Sequence, residues 1–324
     1  MPSRQPAASA DPPRCWLLPL PGGRSLELTA GRPRIMGVVN VTPDSFSDGG
    51  RWLDPERAIA RALEMLAAGA DLVDLGAEST RPGGGVYGGG ARTVPAAEEL
   101  ARLLPVLAGL RRQTPAPLSI DTRKGAVARA TLDAGADLIN DVSALADPEL
   151  GAAVAAAGGP LVLMHSRGEL ATMQAQPRYD DLLAEVRADL AAAVGRARQA
   201  GIQSDRLILD PGIGFGKTWR HNLELLRHLD RLAELGRPLL VGASRKSFIG
   251  HLTGAPPERR LGGSLAAVAW AALQGAALVR VHDVEETAQL LAVWQAIAAT
   301  AAIAGGDSSA PAAPAPPRAS EVTP

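Results

Sequence analysis

A chain of 324 residues holds either two average domains or one large barrel of roughly 250 residues with extensions. With 46% hydrophobic and 21% charged residues it reads as globular, and a net charge of -1 excludes a bulk electrostatic attraction to nucleic acid or to an anionic membrane. The single cysteine, Cys15, excludes an internal disulfide and suits a reducing, cytoplasmic setting, and no stretch offers some 18 apolar residues free of charge and breakers.

The first 14 residues lack the apolar core of a signal peptide and are expected to be flexible. "CWLLPLPGGRSLEL", from Cys15 to Leu28, has two short apolar runs around Pro-Gly-Gly and predicts a small hairpin. From Arg34 to about Ile303, short apolar runs alternate with Ala/Leu-rich stretches of helical length. The runs are "RIMGVVN", "DLVDLG", "PLSIDT", "DLINDV", "PLVLMH", "RLILDP", "PLLVGAS" and "ALVRVHD". Near-continuous apolar strands of this kind suit a parallel sheet covered on both faces. One joint recurs: "AGADLVDL", "AGADLIND" and "QGAALVRV" place Gly69, Gly135 and Gly275 where a helix ends in a left-handed turn, and each has a polar residue five positions later, Asp74, Asn140 and Arg280. Eight such units predict a (β/α)8 TIM barrel over residues 15–303, with a doubly wound open sheet as the alternative. Residues 304–324, rich in Pro and Ala, read as a disordered tail.

In a barrel of this type the active site lies at the C-terminal ends of the strands. Those ends carry Asn40, Asp74 with Glu78, Asp121, Asn140 with Asp141, His165, Asp210, Ser244 with Lys246, and Arg280 with His282. Asp121-Thr122 and Asp141 or Ser143 also fit as helix caps, but polar groups at all eight ends point to one ligand site. "DPGIGFGKT" misses a phosphate-binding P-loop because Pro211 stands where glycine is needed. Gly212, Gly214 and Gly216 are instead expected to let the backbone pass close to a flat ligand beside Phe215 and Asp210. Arg245, Lys246 and Ser247 at a helix start, with Arg280 and His282, predict an anionic group after strands seven and eight. Asn40 is a neutral oxygen ligand of the kind Mg2+ accepts beside a diphosphate, and Asp210 offers two acceptors to adjacent N–H donors, as in a 2-amino-4-oxo pyrimidine ring. The residues thus describe a transferase that displaces diphosphate from a heterocyclic substrate.

"NVTPDSFSDGG", "GAESTRPGG", "SIDTRK", "INDVSA", "LMHSRG", "DPGIGFGK", "GASRKSFIG" and "RVHDV", in this order over about 250 residues, closely resemble the dihydropteroate synthase family. The resemblance implies an enzyme of folate synthesis that joins 6-hydroxymethyl-7,8-dihydropterin diphosphate to 4-aminobenzoate. It implies Asn40 as the Mg2+ ligand; Thr80, Asp121, Asn140, Met164, Asp210, Phe215 and Lys246 around the pterin; and Asn40, Arg280 and His282 at the diphosphate, with Arg280, His282 and Lys246 as catalytic groups. Phe46, Arg81, Pro82 and Ser247 would form the 4-aminobenzoate slot. A homodimer through the helix after strand seven is also implied. The second loop departs from the family pattern in its glycine-rich "GGGVYGGGARTVP" and in Pro95 where serine is usual. A methyltetrahydrofolate-dependent methyltransferase and a non-catalytic pterin-binding paralogue are the competing readings; the "NVTPDSF" loop with Arg280 and His282 argues against the first.

Overall fold

The computed structural model describes residues 14–42, 54–78, 93–168, 172–175 and 177–303. The chain opens with an antiparallel hairpin, β1 (Cys15–Pro19) against β2 (Ser25–Thr29). Eight parallel strands follow: β3 (Arg34–Asn40), β4 (Leu72–Gly76), β5 (Leu118–Asp121), β6 (Leu138–Asp141), β7 (Leu161–Met164), β8 (Leu207–Asp210), β9 (Leu240–Val241) and β10 (Leu278–Val281). Their order runs from β8 back to β3 and on through β10 to β9. The remaining gap is closed by a parallel bridge between Leu209 and Leu239, with the Leu209 amide donating to Pro238 O at 3.0 Å. The result is the TIM barrel that the eight apolar runs predict, preceded by the predicted hairpin.

Helices α1 (Pro55–Ala67), α2 (Ala96–Arg111), α3 (Gly125–Asp133), α4 (Pro148–Ala157), α5 (Leu182–Gln199), α6 (Trp219–Arg227), α7 (Leu229–Ala233), α8 (Ser247–Thr253), α9 (Leu261–Leu273) and α10 (Val284–Ile303) lie between the strands and after the last. Their starts are chemically marked. The Asp54, Asp147 and Asp181 side chains accept amide N–H groups of α1, α4 and α5, and Thr218 forms a reciprocal capping box with His221 at α6. Asp141 and Ser143 do not cap α4. Asp141 instead accepts the Ser143 and Leu145 amides, at 2.7 and 2.5 Å, and ties down its own loop. None of these helices is long and apolar enough to cross a membrane.

Alternation along the strands sorts the barrel wall. Ile35, Val39, Val73, Leu75, Ile120, Ile139, Leu163 and Leu209 belong to the large core shared with the helices. Met36, Leu72, Leu138, Val162, Ile208, Leu240 and Leu278 form a separate apolar layer, and the hairpin seals it with Leu18, Leu20, Leu26 and Leu28. Burying four leucines stabilises the docked hairpin by roughly 6–12 kcal/mol at most. A buried carboxylate adds to this: Asp137, just before β6, pairs with Arg24 of the hairpin turn and Arg111 of α2 and accepts the Leu118 amide at 2.8 Å. Two residues further along five of these strands, the same inward positions become Asp74, Asn140, Met164, Asp210 and Arg280. The apolar plug below therefore supports a polar floor above.

Candidate active site

The recurring joint positions the centre of that floor. Gly69, Gly135 and Gly275 have φ of +107°, +102° and +88°, so each lets a helix end in the left-handed region and enter its strand in the same register. The residues five positions later then converge. Asn140 Nδ2 donates to Asp74 Oδ2 at 3.0 Å, and Arg280 Nε donates to the same oxygen at 2.6 Å. Arg280 Nη2 reaches Asp121 Oδ2 at 2.8 Å. Strand pairing places Asn40 beside Gly76, Gly76 beside Asp121 and Asp121 beside Asn140, one continuous rung across the mouth.

The electrostatics of this floor are tight. Asp74 and Asp121 are buried, yet Asp74 Oδ1 and Asp121 Oδ1 have no hydrogen-bond partner among the described residues. Burial pushes Asp121 up to about 7; Arg280 opposes the shift and Asp74 adds to it. Burial disfavours the Arg280 cation, and Asp74 and Asp121 more than restore it. Two buried acceptor oxygens left open beside a compensated cation are suited to a ligand that brings N–H donors.

Asp210 closes the floor on the β8 side. It is 5% exposed, and its Oδ1 accepts the Gly212 amide at 2.7 Å. Burial pushes it up to about 6, against the Gly212 hydrogen bond and the charges of Lys246, Lys217 and Arg280. Above it, Phe215 packs with Met164, Val142 and Met173 in a small apolar cluster, and Lys246 Nζ stands 4.3 Å over the Phe215 ring. Met164, Phe215 and Lys246, three of the residues expected around a pterin, therefore stand together above Asp210, and Met173 joins them without any signal in the sequence.

The glycines of this segment correct one expectation. A Cβ on Gly212 would lie 1.9 Å from His165 O, one on Gly216 would lie 2.8 Å from Arg167 O, and one on Gly214 would lie 3.2 Å from Lys246 Cδ. Their φ values are +67°, +60° and +87°. They serve close packing against the loop after β7 and the Lys246 stem rather than approach to a flat ligand. Lys217 is likewise turned inward, donating to Phe215 O at 2.9 Å and contacting His165 Nδ1 at 2.8 Å. Burial, opposed by Asp210, pulls Lys217 down to about 7, while burial and the Lys217 charge hold His165 near 3. His165 Nε2 contacts Asp189 at 3.1 Å, so the histidine is a bonded structural residue.

At the mouth, His282 Nδ1 lies 3.1 Å from Ser244 Oγ, and burial with the nearby Arg280 and Arg245 charges holds the ring down at about 4. Arg245 is occupied by Asp283. Arg280 and His282 thus differ in setting: the first is drawn into the floor by two carboxylates, the second stands with Ser244 above it. Asn40 ends β3 exposed, and Ser247 begins α8 as expected. Phe46, Thr80, Arg81 and Pro82 lie outside the described residues, as do residues 1–13 and 304–324. Just before the segment holding Thr80–Pro82, Glu78 accepts the Val94 amide at 3.1 Å and pairs with Lys124 at 2.6 Å. Lys124 also binds Glu99 at 2.5 Å, so both stems of that segment are tied to α2 and the start of α3.

The match to known proteins follows this geometry. Residues 36–282 fit the pterin binding enzyme family. The dihydropteroate synthase of a Synechocystis strain is 46% identical over 281 residues, spanning 86% of this chain and 95% of that protein. The chain belongs to the dihydropteroate synthase family. A Xanthomonas albilineans dihydropteroate synthase solved with 4-aminobenzoic acid superposes with a TM-score of 0.79 at 50% identity, covering 87% of this chain and 99% of that one. The same enzyme in complex with 7,8-dihydropteroate gives a TM-score of 0.75 at 48% identity, with coverages of 87% and 99%. Against the dihydropteroate synthase pattern, Pro95 has a visible local effect: it stands at the N-cap of α2 without a side-chain hydrogen bond, where serine would supply one.

Proposed function

We propose that this chain condenses 6-hydroxymethyl-7,8-dihydropterin diphosphate with 4-aminobenzoate, giving 7,8-dihydropteroate and diphosphate, the transferase step of folate biosynthesis. The observation that carries this reading is the barrel floor, where Asp74 and Asp121 each keep a buried, unpartnered oxygen beside Asn140, Asp210 and Arg280. A 2-amino-4-oxo pteridine brings the N–H donors and carbonyl acceptor that such a floor satisfies. Met164 and Phe215 offer apolar contact to the ring, and Lys246 stands over Phe215.

In this reading Asp210, Asp121 and Asn140 hold the ring, Lys246 and Arg280 balance its surrounding carboxylates, and His282 faces the departing diphosphate. Charge that develops on the leaving group meets groups already in place, which is the form of catalysis a rigid polar site performs best. The aniline nitrogen of 4-aminobenzoate attacks without prior deprotonation, so the site needs no dedicated base. Asn40 is an exposed neutral oxygen donor, and the described residues contain no group of three His, Cys, Asp or Glu side chains able to hold a metal alone. That donor set fits a largely hydrated Mg2+ held together with diphosphate, and the ion when bound supplies further positive charge to the leaving group. Ser247, with Phe46, Arg81 and Pro82, receives 4-aminobenzoate, and Thr80 lines the pterin side.

We further propose a homodimer in a reducing, cytoplasmic setting, which the lone Cys15 suits. Support for association comes from an apolar cavity of about 460 Å3 among α6, α8 and α9, lined by Leu223, Leu226, Phe248, Ile249, Leu252 and Trp270. Leu252 and Trp270 are 53% and 44% exposed there. The function is tested by mass spectrometry of reactions containing both substrates and Mg2+. The expected result is 7,8-dihydropteroate formed only when both are present. Pterin binding without product would make the chain a non-catalytic paralogue.

A further inference from the structure

Ser244 belongs to no substrate subsite, yet it is 5% exposed at the mouth and makes two contacts with one residue. Its Oγ accepts the His282 backbone N–H at 3.3 Å and lies 3.1 Å from His282 Nδ1. A serine hydroxyl carries one proton, and among the described residues the only acceptor within reach of it is Nδ1. If Nδ1 carried the proton instead, two donors would converge on Oγ and the buried hydroxyl hydrogen would have nowhere to go. The satisfied arrangement is therefore Oγ–H donating to Nδ1, which leaves the ring proton on Nε2. Nε2 has no partner among the described residues.

We propose that Ser244 is a positioning residue that fixes the tautomer of His282, so that a neutral imidazole presents Nε2–H as a hydrogen-bond donor to the anionic leaving group. The surroundings favour the neutral ring: burial, Arg280, Arg245 and Lys246 oppose a second proton and outweigh Asp283, which favours it. The backbone contact matters as much as the side-chain one. Because the same oxygen holds the His282 amide, the end of β10 and the loop after β9 are fastened at the point where the ring is oriented. With positive charge already supplied by Arg280 and Lys246, a neutral donor adds direction to the site without adding another cation. The inference rests on the reading that His282 faces the diphosphate.

Its test has a part that does not depend on that reading. In the unliganded protein with 15N-labelled histidine, His282 is expected to show an Nε2–H tautomer at pH 7, with Nδ1 resonating as an unprotonated acceptor. Ser244→Ala is expected to give a mixture of tautomers. An Nδ1–H tautomer in the unsubstituted protein would overturn the proposal. In kinetics and calorimetry, Ser244→Ala is expected to lower kcat and weaken Mg2+-diphosphate binding by about tenfold, leaving the KM for 4-aminobenzoate unchanged, and Ser244→Thr, which keeps the hydroxyl, is expected to restore most of both. If the tautomer is as stated but His282→Ala leaves diphosphate affinity intact, the placement of diphosphate at His282 fails and the role of Ser244 in catalysis fails with it.

Discussion

Asp210→Asn separates the charge of a buried carboxylate from its shape, because asparagine keeps an oxygen for the Gly212 amide that Asp210 accepts at 2.7 Å. The folded-state pKa of Asp210, raised by burial from 3.8 to about 6, lies above its unfolded value. The native state therefore holds the proton more tightly, and the ionisation of this group subtracts stability as pH rises from about 4 to 6, by about 3 kcal/mol in full. The stability difference between the parent protein and the variant should shift by most of that amount, about 2.5 kcal/mol, between pH 4 and pH 8, read from urea unfolding. Ligand binding should run the other way. Pterin donors pair with the ionised carboxylate, and at pH 5 only about one-tenth of the free protein carries it at Asp210, so this group alone should make a pterin analogue bind about tenfold more weakly at pH 5 than at pH 7. In Asp210→Asn the affinity should be lower by more than about 2 kcal/mol at pH 7, and its pH dependence should shrink to the part that Asp121, itself raised to about 7, contributes. Calorimetry with an analogue that does not itself titrate between pH 5 and 8 measures both. An unchanged affinity at pH 7, or the same pH profile in the variant, would remove Asp210 from the pterin site.

Gly212→Ala should cost more than about 2 kcal/mol by urea unfolding, because its Cβ meets His165 O at 1.9 Å with φ at +67°. Gly275→Ala, at φ +88° with nothing within 4 Å, should cost only about 1 kcal/mol; equal costs would refute the packing argument. Asp137→Ala removes the carboxylate between Arg24 and Arg111 and should destabilise by about 3–5 kcal/mol while leaving turnover of the folded protein unchanged. Leu252→Glu with Trp270→Glu should yield monomers in sedimentation experiments, and a dimer that persists would place the interface elsewhere. Sulfonamides, which share the shape and charge of 4-aminobenzoate, should raise its apparent KM without changing kcat; purely noncompetitive inhibition would count against the slot.

Much of this arrangement was legible from residues alone, for identifiable reasons. A parallel strand buried on both faces reads as an unbroken apolar run, so all eight strands and the hairpin stood out, and the Gly69, Gly135 and Gly275 joints marked where three of the strands begin. Asp74 carried the same mark as Asn140 and Arg280, five residues after a joint glycine, but no role was assigned to it, and only the strand register shows that the three side chains meet. What spacing could not show was how the charges are shared. That Arg280 is held in the floor by Asp74 and Asp121 depends on which side chains face inward on strands up to 206 residues apart. The glycines of "DPGIGFGK" were read toward a ligand because a sequence does not reveal that the loop after β7 passes so close. The last predicted strand residues before "SRK" were also lost to the sheet, because β9 ends at Val241 and Arg245 takes a left-handed φ of +57° with its amide bound to Ser264 Oγ.

The most direct measurement is a crystal structure of this chain with 7,8-dihydropteroate. The pterin ring should lie on the barrel floor with its N–H edge within hydrogen-bond distance of Asp210 and of at least one of the open oxygens, Asp74 Oδ1 or Asp121 Oδ1, and with the Lys246 side chain beside it. A product bound elsewhere, or a ring on the floor that leaves both open oxygens unpartnered, would contradict the assignment of this polar layer as the pterin site.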